Sequence, residues 1–171
     1  MAMEALGRLV DVCIGAAPVD LSTAGATGKR VALKGCGGLT IIVFKGAGTA
    51  GDDPTFTLQQ HTAASAGTTS SLAIIDHYYL KNAATLAGTE QWTRVSQTAA
   101  ATIVDPGGAG TSAESQQIIA IEVDAAQLSD GYTHVSLNCA DVGTNAQLGA
   151  ILYLRRDLLV NRAPAALAAS L

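Results

Sequence analysis

Along the chain, apolar residues alternate with polar ones or cluster in short runs, and Gly, Pro, Asp and Ser separate the runs. Period-two alternation predicts strands and turns, because successive side chains of a strand point to opposite faces. The first expected strand is Arg8 to Ile14, with Leu9, Val10, Val12 and Ile14 apolar, followed by a turn-rich segment with Pro18, Gly25 and Gly28. Lys29 to Lys34 encloses Val31, Ala32 and Leu33. After the Gly35-Cys36-Gly37-Gly38 break comes Leu39 to Lys45, whose Ile41-Ile42-Val43-Phe44 run is expected to be buried on both faces. Thr55 to Thr62 alternates cleanly, Phe56 and Leu58 against Thr55, Thr57 and Gln59, and reads as a half-exposed strand. Leu72 to Leu80 follows, then a strand marked by Trp92 and Val95 that continues across a break to Ile103-Val104. Gln117 to Val123, Tyr132 to Cys139 and Gln147 to Leu154 end the series.

Turn signals stand at Gly46-Ala47-Gly48, Asp105-Pro106-Gly107-Gly108, Asp130-Gly131 and Asp141-Val142-Gly143. About eight or nine strands at this spacing point to an all-β fold: a sandwich, a jelly roll or a barrel. The one helical signal is a short turn from Ala125 to Ser129, entered through Asp124 as N-cap. No internal repeat or linker divides the chain, so residues 1–171 read as one domain, with 1–7 and 156–171 as terminal arms. Gly107 to Ser112 reads as a flexible loop.

The length of 171 residues suits one hydrophobic core without a metal or disulfide staple. Composition changes the picture at the surface. Hydrophobic residues make up 49% and charged residues 14%, about half the usual charged share, so the surface is unusually neutral and favours burial against other subunits. Aromatics are 4%, leaving the core to Val, Ile, Leu and Ala. Ten basic against fourteen acidic residues give a net charge of -4, and no basic run exceeds Arg155-Arg156, which disfavours binding to nucleic acid by phosphate neutralisation. No 18-residue apolar stretch or basic-then-apolar start exists, so neither a membrane helix nor a signal peptide is expected. Cys13, Cys36 and Cys139 are an odd number without CxxC spacing and are expected as buried thiols.

Candidate chemistry is thin. Gly46-Ala47-Gly48-Thr49-Ala50-Gly51 matches a dinucleotide fingerprint in letters, but Asp52-Asp53-Pro54 and a strand follow it where a helix N-terminus is needed, so it reads as a glycine turn. Ser22 to Lys29 fails as a phosphate loop, because Thr23 and Arg30 occupy its first-glycine and final-hydroxyl positions. His61, His77 and His134 are far apart in sequence and lack metal-ligand spacing. There is no GxSxG elbow, and the cysteines have no local catalytic signature. Asp52-Asp53 with Asp105, or Asp141 with Asn145, could offer oxygens to a hard cation, but such residues ordinarily brace turns by accepting from nearby amides. No catalytic residue, cofactor or metal is expected.

Two blocks, Asp130–Tyr153 (DGYTHVSLNCADVGTNAQLGAILY) and Phe44–Thr55 (FKGAGTAGDDPT), resemble segments of structural proteins of tailed-bacteriophage virions, of the cement or decoration kind. The resemblance implies a jelly-roll-like antiparallel β-sandwich outside the head, assembled in the host cytoplasm, that stabilises the major capsid protein lattice without enzymatic activity. Its implied partners are that capsid protein and copies of itself, as a homodimer or homotrimer. Candidate contact residues are the loop positions Gly46, Gly48, Gly51, Asp52, Asp53, Pro54, Asp105 and Pro106, with Leu167 and Leu171 in the C-terminal segment. Alternative readings are a tail or head-tail connector component and a carbohydrate- or cell-surface-binding jelly roll. Trp92 and four tyrosines are available for sugar stacking in the last case.

Overall fold

The computed structural model describes residues 5–21, 25–143 and 145–167 and is an all-β sandwich. Eleven strands are present among these residues: β1 (Val10–Asp20), β2 (Val31–Ala32), β3 (Cys36–Lys45), β4 (Thr55–His61), β5 (Thr69–Ser71), β6 (Ile75–Ala83), β7 (Thr93–Ala100), β8 (Thr102–Val104), β9 (Gln116–Asp124), β10 (His134–Cys139) and β11 (Leu148–Leu158). The expected eight or nine become eleven for local reasons. The Trp92-to-Val104 segment divides at Ala101, whose carbonyl accepts from Leu58 N and so carries the chain to the other sheet. β5 consists of Thr and Ser alone, which gives no apolar period to read.

The order of pairing is that of a jelly roll. One sheet runs β1-β11-β3-β9-β6-β7; in the other, β2-β10-β4 is followed by β5 and β8, which both lie along the outer flank of β4. Four antiparallel pairs, β1 with β11, β2 with β10, β3 with β9 and β4 with β8, make the chain one long hairpin. Wrapping that hairpin also pairs β11 with β3 and β10 with β4. At the tip of the hairpin, between β4 and β8, the chain inserts β5, β6 and β7, and the last two widen the larger sheet beyond β9.

The inner faces hold the core. Leu39, Ile41 and Val43 of β3, with Ile151 and Tyr153 of β11, pack in the same buried cluster as Phe56, Leu58, Val135 and Leu137 of the opposite sheet. Tyr153 ties the two sheets together, its phenol oxygen accepting from Leu137 N at 2.9 Å. β1 continues past Ile14 to Asp20 because two register shifts, at Ile14/Ala16 and Ala16/Val19, let it bend along β11. Gly15 lies within this stretch, and a Cβ there would stand 2.6 Å from Ile151. β11 runs to Leu158, paired with Cys36, so Arg156 to Leu158 belong to the sheet and not to a C-terminal arm starting at 156. Asp124 precedes a 3-10 turn, Ala125–Gln127, and its amide donates to Gln127 Oε1 at 2.8 Å.

The Ile41–Phe44 run is not covered on both sides. Ile41 and Val43 are fully buried, but Phe44 is 44% exposed and Ile42 half-buried on the outer face of the larger sheet. Around them the register aligns one apolar row across five strands: Ile14, Leu152, Ile42, Ala120 and Tyr79.

Candidate functional site at one end of the sandwich

β3 ends at Lys45, β9 begins at Gln116 and β11 begins at Leu148, and the register places these three points at the same end of the larger sheet. The loops 46–54, 105–115 and 140–147 therefore meet there. Gly46 to Thr49 follow β3 without helix, so the glycine motif is a turn between strands, and Gly51 has φ +88°, which only glycine adopts readily.

Their contacts are specific. Asp53 Oδ1 accepts from Ser112 Oγ and Ala113 N, both at 2.9 Å, and Gly48 N donates to Ala113 O at 2.7 Å. Lys45, 3% exposed, points its ammonium into a ring of backbone carbonyls: Ser112 O at 2.5 Å, Ser115 O at 2.7 Å, Gly46 O at 3.1 Å and Ala113 O at 3.4 Å. Burial pulls its pKa from 10.5 down to about 8, with the Asp53 carboxylate pulling the other way. Asp105 closes its own loop by accepting from Gly110 N at 2.6 Å and Ser112 N at 3.3 Å. Burial alone would raise its pKa, but hydrogen bonds from Ser112 and Gly110 outweigh that and hold it below the ordinary carboxylate range. Fully buried Gln147 donates to Ala113 O at 3.0 Å, and fully buried Gln117 donates to Pro106 O at 2.9 Å. Tyr78 accepts from Gly107 N at 2.8 Å.

The structure thus joins two of the three expected contact segments and leaves the third apart. Gly46, Gly48, Gly51, Asp52, Asp53 and Asp105 lie at this end, while Pro54 and Pro106 are buried in it and reach no surface partner. Leu167 lines a groove with Asp11, Arg155 and Leu158 at the opposite end, about 30 Å away by the length of ten-residue β3. Leu171 lies outside the described residues. The Asp53 and Asp105 carboxylates brace loops through backbone amides, and among the described residues no three His, Cys, Asp or Glu side chains assemble as a metal site. Asp52 packs its carboxyl against Gly143, and its Oδ2 is buried without a hydrogen-bond partner.

Elsewhere, β4 and β10 bring His61 opposite His134, which sequence spacing did not reveal. His61 Nε2 lies 2.8 Å from Ser136 Oγ and its Nδ1 2.9 Å from Thr69 Oγ1. This resembles a nucleophile-base pair in distance alone. Ser136 is 1% exposed, the group orienting the ring is a hydroxyl, and burial, with Arg30 and His134 nearby, lowers the His61 pKa to about 4. The three cysteines are buried and form no disulfide, and burial pushes the Cys139 thiol up to about 12. Trp92, 47% exposed, carries Lys81 Nζ 5.2 Å from its ring centroid, which occupies a face a sugar would need.

The signals sequence reasoning missed are Lys45, Gln117 and Gln147. Lys45 closes an apolar run immediately before glycine, the position at which a strand-end cation can turn inward to meet loop carbonyls. Comparison with family models, curated proteins and solved structures finds no match.

Proposed function

We propose that this chain is a non-enzymatic virion structural protein, a cement or decoration protein that binds the outside of a phage head and stabilises the lattice of its major capsid protein. The observation that carries the reading is the loop end. Lys45, Asp53 and Asp105 are spent on loop backbone and a loop hydroxyl, leaving a braced rim of glycine- and threonine-bearing turns and, among the described residues, no open cleft of titratable groups. A rim already fixed in shape loses little conformational entropy when it docks, which suits a clamp. The two blocks that resemble virion proteins support the same reading, since Phe44–Thr55 and Asp130–Tyr153 meet here through Gly46 N to Leu148 O at 2.7 Å and through Asp52 against Gly143.

The mechanism is linkage. A protein that binds the assembled shell and not its free subunits stabilises the shell by about 2.7 kcal/mol per site at a hundredfold excess over Kd. The test is co-sedimentation of the purified chain with assembled shells and with dissociated subunits, together with the melting temperature of the shells. Binding to shells alone, with a raised melting temperature, is expected, and Thr49→Arg at the exposed loop tip should abolish it while leaving the chain folded. Equal binding to free subunits, or no binding at all, overturns the reading.

A further inference from the structure

The outer face of the six-stranded sheet is the most unusual surface of the molecule. Flanking the row through Ile42 are Phe44, 44% exposed, and Leu148, 66% exposed. Beside them a groove of about 380 Å3 opens between Phe44, Leu148, Pro18 and Leu86. Five strands at ~4.8 Å spacing and three to four rows at ~6.8 Å make a projected face of roughly 500 Å2, and standing side chains add accessible area to that. The face is apolar along the Ile42 row and carries Lys81 on one side of it and Thr40 and Glu122 on the other, and its size is of the order of, though below, the ~800 Å2 that each partner buries in a standard interface.

We infer that this face is covered by a second copy of the same chain, stacked sheet to sheet about a two-fold axis that runs across the strands along the Ile42 row. Charge placement favours a copy as the occupant. Lys81 pairs in register with Ile118, on the loop side of the row, and Glu122 pairs with Thr40, on the other side and one strand over. The two-fold exchanges the sides, so Lys81 of each copy lies within about one strand spacing, ~4.8 Å across, of Glu122 in the other. Arg156, bonded to Glu122 at 3.1 Å and to Asp124 at 2.5 Å, forms a corner cluster at the margin, where it stays in water. Across its five strands from Ile14 to Tyr79 the Ile42 row carries no charge, and it ends on edge strand β7 at Arg94, which is exposed and bonded to Ser96, so the apolar part of the row buries no lone ion. Sheets that stack this way sit ~10 Å apart and interdigitate their side chains, and the two-fold carries Phe44, on the loop side of the row, over Thr40 and Leu154, on the other side of the row in the second copy.

This inference does not rest on the virion reading. The test is the mass of the purified full chain at micromolar concentration by sedimentation equilibrium. The expected mass is twice 17.3 kDa. Phe44→Asp, on an exposed position, should give the monomer with an unchanged far-ultraviolet circular dichroism spectrum. Lys81→Glu and Glu122→Lys should each weaken dimerisation at least tenfold, and the double exchange should restore it to within about threefold. A monomeric wild type, a Phe44→Asp variant that still pairs, or a double exchange without rescue overturns the inference. The shell assay is a separate readout: a monomer that binds shells removes only the pairing, and a dimer that ignores shells removes only the decoration role.

Discussion

His61 ends β4 with both ring nitrogens engaged by hydroxyls, and its consequence is a pH dependence with a definite sign. The unfolded imidazole takes a proton near 6.5 and the folded one near 4, so between these values the unfolded state binds more protons. The contribution of His61 is complete above pH 6.5 and is lost as pH falls through 4, by up to roughly 3 kcal/mol. Urea unfolding at pH 7 and pH 4.5 measures it, and His61→Gln should flatten the difference between the two. Lys45 has the same direction of shift at higher pH: its unfolded form holds the proton between 8 and 10.5, so its contribution grows as pH rises through that window. Lys45→Met should cost about 1–3 kcal/mol at pH 7, because the carbonyls of Ser112 and Ser115 lose their donor. Hydrogen exchange at Gly48 N should accelerate in that variant, since the Ala113 carbonyl it bonds is held by the same ammonium. Neither role was legible in the sequence. Lys45 meets a loop 67 residues away and His61 a serine 75 residues away, and local pattern is silent at that range.

At the scale of elements, alternation was a sound guide wherever one face is buried against the other sheet. Thr55–His61 and His134–Cys139 emerge within two residues of their expected bounds, because a shift by one residue would turn Phe56, Leu58, Val135 and Leu137 out to water. It failed where tertiary pairing alone makes the strand. β5 has no apolar residue, and β2 keeps only Val31 and Ala32 of an expected six-residue strand, the two residues that pair with Val135 and His134 of β10. It also misjudged cover: four consecutive apolar residues in β3 suggested burial on both faces, yet the monomer covers one. Tyr153 is the residue through which one strand controls two sheets. Tyr153→Phe should destabilise by about 1–3 kcal/mol, because Leu137 N is left buried without an acceptor, and thermal unfolding should show it as a drop in Tm with no change in strand content.

At the scale of the molecule, the long-hairpin topology governs folding. β1 pairs with β11 across nearly the whole chain, Val10 with Arg156, so the outermost pair closes only after the inner ones have brought its strands together. Non-local pairing of this kind folds slowly, and refolding from urea should take roughly a second or longer in stopped-flow fluorescence of Trp92. A sub-millisecond phase recovering the full signal would contradict that order of events. The jelly-roll class was within reach of the strand count, but the insertion of β5, β6 and β7 at the hairpin tip was not, since their turns look like every other turn in the chain.

The same hairpin has a geometric result for anything joined to the protein. Arg162 N bonds Gly7 O at 2.8 Å, so the two flanks of the domain leave it side by side, far from the braced loops. A passenger polypeptide fused beyond either residue would be carried on the far pole, clear of whatever the rim holds. Both described flanks of the domain therefore share one pole, and the loop rim proposed to dock stands at the other.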